Sequence, residues 1–353
     1  MDKYSNTFWR GKKVFLTGHT GFKGSWISIW LNHLGAKVKG YSLEPITNEN
    51  LYDIAKIDTI VESEINDIRD FDSLLSSIKA FQPEIIIHMA AQPLVLTSYK
   101  NPIETYDVNV MGTVNLLEAS RSCESIKVIL NITTDKCYEN VNKEEGYAES
   151  DPMGGYDPYS SSKGCAELVI SAYRRSFFEK NSVGIASVRA GNVIGGGDWS
   201  DNRLIPDILS SFENNEELII RNPQAIRPWQ HVIEPLAGYI DLSEKLYSNP
   251  IKFSSGWNFG PYPEDVKTVE WIVSKIADSW PKASWKIQEN EKVHEAQNLK
   301  LEIKKALKYL DWKPKLNINI AIEKIISWHK DWLSGYDMQK KCLEEIKDYI
   351  NIE

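Results

Sequence analysis

No stretch of this 353-residue chain stays apolar for the length that a membrane-spanning helix needs. Met1 to Arg10 is polar and mixed in charge, without the apolar core of a secretory signal. Cysteine is scarce. Cys123, Cys137, Cys165 and Cys342 lie far apart with no metal-ligand spacing, which points to reduced thiols, no bound metal and a cytoplasmic protein. A basic surplus is missing too. The 41 Lys and Arg stand against 49 Asp and Glu, a net charge of -8, which argues against nucleic acid as a partner. That balance leaves room for a local basic patch facing an anionic small molecule. Internal repeats and low-complexity segments are absent as well. What remains is the composition of an ordinary globule, 42% hydrophobic and 25% charged, with a high complement of 12 Trp.

Strand and helix signals alternate through the first half. Lys13–Thr17 reads as a short buried strand, followed by a glycine-rich turn and a helix that Gly35 ends. Further strands are expected over 36–41, 84–89, 128–133 and 184–189, and helices over 71–81, 104–121 and 159–179. This alternation predicts an α/β protein with a Rossmann-type doubly wound parallel sheet. Beyond residue 190 the texture changes. Gly195-Gly196-Gly197, Asn222-Pro223 and Arg227-Pro228 break the chain, and a helical tail from Leu299 is interrupted over 310–314. The expectation is a dinucleotide-binding domain over 1–190 and a smaller C-terminal α/β substrate lobe over 191–353, with a soft boundary that the chain can cross again.

Thr17-Gly18-His19-Thr20-Gly21-Phe22-Lys23-Gly24 carries the spacing G-x-x-G-x-x-G between the first strand and the first helix. Glycine lets the backbone turn tightly and approach a pyrophosphate, and a helix N-terminus supplies free N–H donors. The second strand ends in Gly40-Tyr41-Ser42-Leu43, without the usual acid for the ribose hydroxyls. Ser42 can hydrogen-bond a ribose, and NAD is the expected cofactor. Asp67, in Asn66-Asp67-Ile68, is a candidate partner for adenine, against a solvated loop acid.

Tyr159 and Lys163, at i and i+4, meet on one helix face. A free Tyr has a pKa near ~10. A neighbouring ammonium and a cationic nicotinamide both favour its phenolate. Taken alone, Tyr-x-x-x-Lys is a chance pattern; beside the glycine loop it is a proton-transfer pair. Thr133-Thr134-Asp135-Lys136 follows another strand, at the carboxyl end where ligands gather in such sheets. A hydroxyl, a carboxyl and an amine there suggest more than simple oxidation, against a capped turn.

These motifs together resemble the extended short-chain dehydrogenase/reductases that act on nucleotide sugars, in particular their 4,6-dehydratase branch. Besides the strings above, the resemblance rests on His88-Met89-Ala90-Ala91-Gln92-Pro93, Asp135-Lys136-Cys137-Tyr138-Glu139-Asn140 and Asp151 through Tyr159. Arg189 through Trp199 and Arg227-Pro228-Trp229-Gln230-His231-Val232 extend it over nearly the whole chain. It implies NAD held by Gly18, Thr20, Gly21, Phe22, Lys23, Gly24, Ser42, Asp67, Ile68, Ala90, Ala91, Gln92, Tyr159 and Lys163. It further implies Thr134, Asp135, Lys136, Tyr159 and Lys163 as the catalytic set, with CDP-glucose as substrate. Tyr159 takes the 4-hydroxyl proton and Asp135 protonates the departing 6-hydroxyl. Lys136 stands where related dTDP-sugar dehydratases carry the Glu that removes the C5 proton. An extended strand would turn Asp135 and Lys136 to opposite faces, so both reach the sugar only if the chain bends here. Arg227, with Asn192, is the expected diphosphate clamp, since a guanidinium forks onto phosphate. Arg203 and His231 are further substrate-side candidates. The resemblance also implies a homodimer through the helices near 104–121 and 159–179. A 4-epimerase on the same scaffold and a non-catalytic NAD-binding sensor are the rival readings. An epimerase does not need the Asp135-Lys136 pair, and a sensor would be free to lose Tyr159 or Lys163.

Overall fold

The computed structural model describes residues 6–178, 182–288 and 299–352. Seven parallel strands form the central sheet: β1 (Lys13–Thr17), β2 (Lys37–Ser42), β3 (Glu62–Ile65), β4 (Ile85–His88), β5 (Val128–Ile132), β6 (Gly184–Ala190) and β7 (Gly256–Phe259). Their order is β7-β6-β5-β4-β1-β2-β3. The chain therefore winds outward from β1 in one direction and from β4 in the other, which opens a crevice at the carboxyl ends of these two strands.

Side chains alternate across each strand, and both faces are apolar because both are covered. Val14, Leu16, Ile85, Ile87, Val128 and Leu130 face one layer. That layer contains α1 (Phe22–His33), with Trp26 and Trp30 fully buried, and a later helix, Ile233–Ser248. Phe15, Ile86, Ile129 and Ile185 face the other layer. There α2 (Phe71–Phe81), α3 (102–121) and α4 (Pro158–Tyr173) contribute Leu74, Ile78, Leu116, Leu117 and Ile170. Asp70 caps α2 by accepting from the Ser73 amide, and Asp157 caps α4 by accepting from the Ser160 amide, with Pro158 at the first helical position.

Two sheet strands were not expected from the sequence. β3 reads Glu-Ser-Glu-Ile on the sheet edge and is tied to β2 by Lys39, whose ammonium lies 2.7 Å from Glu62 and 3.0 Å from Glu64. β7 comes from the second half of the chain and pairs with β6, so the sheet takes back a strand from beyond residue 190. Other second-half elements build a separate core, in which Ile205, Ile208 and Phe212 of Leu204–Glu213 meet Ile272, Ile276, Ile322 and Ile325.

Two helices also depart from simple expectation. The middle of α3, Asp107–Met111, is a π turn, and α4 passes into another π turn, Arg174–Phe178. Residue 179, at the expected end of the long helix, lies outside the described residues.

Candidate active site

The crevice between β1 and β4 is pinned by the last residues of both strands. Thr17 and His88 are register partners, and Thr17 Oγ1 lies 2.7 Å from His88 Nδ1. The same hydroxyl accepts from the amides of Met89 and Ala90, each at 3.1 Å. Gly18 then turns with φ +77°, and a Cβ there would lie 2.7 Å from the Ala90 nitrogen. A Cβ on Gly24 would overlap the Gly18 carbonyl. Gly21 caps α1 without a side chain, so the first amides of the helix face the crevice unblocked. A bare helix N-terminus over a loop with no room for side chains fits a dinucleotide pyrophosphate.

Around that loop, Thr20 Oγ1 lies 2.8 Å from Ser42 Oγ and donates to the Leu43 carbonyl at 2.9 Å. The Asp67 carboxylate is gripped by Arg69 at 2.6 Å, whose hydrogen bonds hold it below the usual carboxylate range. Ile68 packs against Gly112 of α3. Ala90 and Ala91 are half-buried at the crevice wall. The Gln92 amide donates to Leu94 O and Thr105 Oγ1 and accepts from the Leu94 amide, which fixes the loop beside them. Asn109, in the π turn of α3, bonds the Gln92 backbone in both directions and also donates to Ser162.

Tyr159 and Lys163 lie one turn apart on α4, both buried. Tyr159 is 9% exposed, and burial pushes its phenol up to about 12, opposed by a hydrogen bond with Thr134 and by the Arg203 charge. Burial brings the Lys163 ammonium down to about 8, against the pull of Glu167. Lys163 Nζ donates to the Ile132 carbonyl at 3.3 Å.

Beyond β5 the chain bends into a 3₁₀ turn, Asp135–Cys137, capped by Thr134. The bend brings adjacent residues together. Thr134 Oγ1 donates to Asp135 Oδ1 at 3.0 Å, and Lys136 Nζ lies 3.5 Å from the same oxygen. Asp135 is 1% exposed, and its Oδ2 has no hydrogen-bond partner among the described residues. That oxygen would lie 3.2 Å from a Cβ on Gly191. Lys23 is half-buried in α1; its enclosure, with Lys163 and Arg203 nearby, brings its ammonium down to about 7.

Behind these groups is a buried ionic layer that sequence reasoning missed. The Glu167 carboxylate accepts from Thr133 Oγ1 (2.5 Å), Ser187 Oγ (2.6 Å) and the Arg189 guanidinium (2.9 and 2.7 Å). Burial opposes its ionisation, but Arg189 and these bonds outweigh that and hold it below the usual carboxylate range. The signal for it lay in the helix period, since Glu167 follows Lys163 by four residues.

Of the substrate-side candidates, Arg203 reaches the site. It donates to Asp198 at 2.8 Å, and its charge acts on both Tyr159 and Lys23. Arg227 is buried in the strand Ile226–Pro228, where it donates to the Ile226 carbonyl at 2.8 Å. The next residue, Pro228, would lie 2.7 Å from a Cβ on Gly191, which stacks this strand on the Asp135 turn. Asn192 is half-buried, and its carbonyl accepts from the Gln230 amide. His231 is fully buried against Trp26, 3.7 Å from Glu345 of the C-terminal helix, and burial brings its imidazole down to about 3.

Residues 15–325 match the GDP-mannose 4,6 dehydratase family. The chain belongs to this family. Among relatives, it is 57% identical over 350 residues to CDP-glucose 4,6-dehydratase of Salmonella typhimurium, covering 98% of each chain. The 4,6 dehydratase fold also recurs in solved structures of low identity. A dTDP-glucose 4,6-dehydratase from Bacillus anthracis in complex with NAD superposes with a TM-score of 0.77 at 21% identity, over 93% of this chain and 100% of that one. A UDP-glucose 4-epimerase with UDP-glucose from Thermotoga maritima gives 0.78 at 19% identity, over 91% and 99%.

Proposed function

We propose that the protein uses NAD to convert CDP-glucose to CDP-4-keto-6-deoxyglucose and water. The observation that carries this reading is the turn after β5, where Thr134, Asp135 and Lys136 converge beside Tyr159. Simple oxidation or epimerisation at C4 requires the phenol alone; elimination across C5 and C6 requires an acid and a base beside it. CDP as the nucleotide rests on the 57% identical relative.

The loop from Gly18 to Gly24 would hold NAD, which when bound would supply the hydride chemistry between C4 and C6 with no net consumption of reductant. Tyr159 takes the proton of the 4-hydroxyl, and the Lys163 ammonium beneath it stabilises the phenolate. The resulting ketone acidifies the C5 hydrogen, which Lys136 removes in its amine form. Asp135, protonated, gives its proton to the 6-hydroxyl, which leaves as water. Lys136 then returns its proton to C5. Arg203 and Arg227 supply positive charge for the diphosphate.

The same reading includes a homodimer formed through α3 and α4, whose outer faces expose apolar side chains. It also includes a cytoplasmic location, supported by four unpaired cysteines. No helix among the described residues is long and apolar enough to cross a membrane.

The test is incubation with CDP-glucose, dTDP-glucose and UDP-glucose, followed by mass spectrometry. CDP-glucose loses one water, and a 4-epimerase would leave every mass unchanged. Asp135→Asn slows elimination more than the first oxidation; equal slowing of both would remove Asp135 from the acid role.

A further inference from the structure

The proposed dehydration leaves the protein in a different protonation state from the one it began in. Tyr159 gains the 4-hydroxyl proton, and Asp135 loses one to the departing water. The proton lifted from C5 goes back to C5. A turnover that starts with a phenolate and a carboxylic acid therefore ends with a phenol and a carboxylate. The next turnover requires one proton to travel from Tyr159 to Asp135.

Thr134 lies between them. Its hydroxyl donates to Asp135 Oδ1 at 3.0 Å and is hydrogen-bonded to the Tyr159 phenol. The Lys136 amide adds a long contact of 3.4 Å to the same oxygen. A hydroxyl has one hydrogen and two lone pairs. With its hydrogen on Asp135, Thr134 has its lone pairs free for the phenol and the amide. All three residues are buried, which leaves the pair little direct access to bulk water.

We propose that Thr134 is the relay that returns this proton. The O–H bond of Tyr159 breaks as one forms at Thr134 Oγ1. The original hydrogen of Thr134 passes to Asp135 Oδ1, and Thr134 ends as it began. Nothing is oxidised or reduced. A half-turn of the Asp135 carboxyl then carries the proton from the Thr134 side toward Gly191, where Oδ2 has no partner among the described residues. The charged groups facing the pair are Lys23 of α1, Lys136 on the same turn, Lys163 and Asp157 of α4, and Arg203 of the second half. Arg203 favours the Tyr159 phenolate, while burial, Asp135 and Asp157 favour the phenol.

This inference rests on the dehydratase reading, and the experiment separates the two. Steady-state rates with CDP-glucose are measured for wild type, Thr134→Val and Thr134→Ser at rising concentrations of imidazole and formate. Wild type and the serine variant turn over without regard to buffer concentration. The valine variant is slower by about 10²–10⁴-fold, and small proton carriers restore part of its rate. Should valine crowd the turn, Thr134→Ala is read in the same way. A valine variant blind to buffer, or a serine variant as slow as valine, would leave Thr134 as a substrate-placing hydroxyl and overturn the relay. A wild-type protein that removes water from no nucleotide hexose would sink the dehydratase reading itself, and the relay with it.

Discussion

Glu167 and Arg189 are locked together beneath the turn after β5, with the guanidinium Nε and Nη2 each on one carboxylate oxygen at 2.9 and 2.7 Å. Both side chains are buried, and Thr133, the residue before Thr134, donates to the same carboxylate. Removing one partner strands the other charge in a poorly solvated interior. Glu167→Ala is expected to cost about 3–5 kcal/mol of folding stability. Urea denaturation of wild type and variant measures it. A loss no larger than that of an exposed ion pair, about 1 kcal/mol or less, would show that Arg189 finds another partner.

Gly24 tests the cofactor cradle. A methyl group there runs into the Gly18 carbonyl, which is backbone and has nowhere to go. Gly24→Ala is expected to leave the chain folded but unable to bind NAD. In wild type, NAD at about 100 times its Kd stabilises the fold by roughly 2.7 kcal/mol. The variant should show no such shift in Tm. A variant stabilised as much as wild type would mean that the pyrophosphate sits elsewhere.

The sheet and the cradle were legible because their signals are local. β1, β4 and β5 are mostly apolar buried runs, and Gly18, Gly21 and Gly24 occupy fixed offsets from β1. β3 escaped because its edge position demands no apolar face, and β7 because pairing with β6 is a long-range event in a four-residue strand. Tyr159 and Lys163 were readable from helix period only beside the glycine loop, because the spacing alone is a chance pattern. Their coupling to Thr134 and Asp135 depends on a bend after β5, which the Thr and Asp of a capped turn allow but whose direction they do not set. The docking of the C-terminal helix over His231 is invisible in a short motif, because Glu345 is far from it in sequence.

Lys163 sets function against stability. Its native value of about 8 lies below its ordinary 10.5, because burial penalises the ammonium. Below pH 8 the native and unfolded chains both hold the proton, and the native state bears the whole penalty, on the order of 3 kcal/mol. Between 8 and 10.5 the unfolded chain binds more protons, so stability rises with pH. Lys163→Met is therefore expected to raise Tm at pH 7 and to lose turnover. Its stability advantage should shrink as pH climbs from 8 toward 10.5. An advantage that stays constant over this range would mean that the ammonium is not the source of the penalty.

The outer faces of α3 and α4 carry apolar side chains that the isolated chain leaves in water. Ile103 is 79% exposed, Leu168 62% and Met111 49%. The two helices pack against each other, and Arg121 of α3 sits 4.0 Å over the Phe177 ring just beyond α4, so the patch is held rigid across both. A twofold axis through it would set each copy's pair of helices against the other's and bury the same residues twice. Light scattering of wild type should therefore give twice the chain mass of 40.3 kDa. Ile103→Glu with Leu168→Glu places four like charges in that contact and should give the single-chain mass. Both substitutions lie on the outer faces, so binding of NAD by the variant reports whether the crevice depends on the partner. A wild-type monomer at working concentration would refute the dimer, and a dimer that survives both glutamates would move the interface to another face.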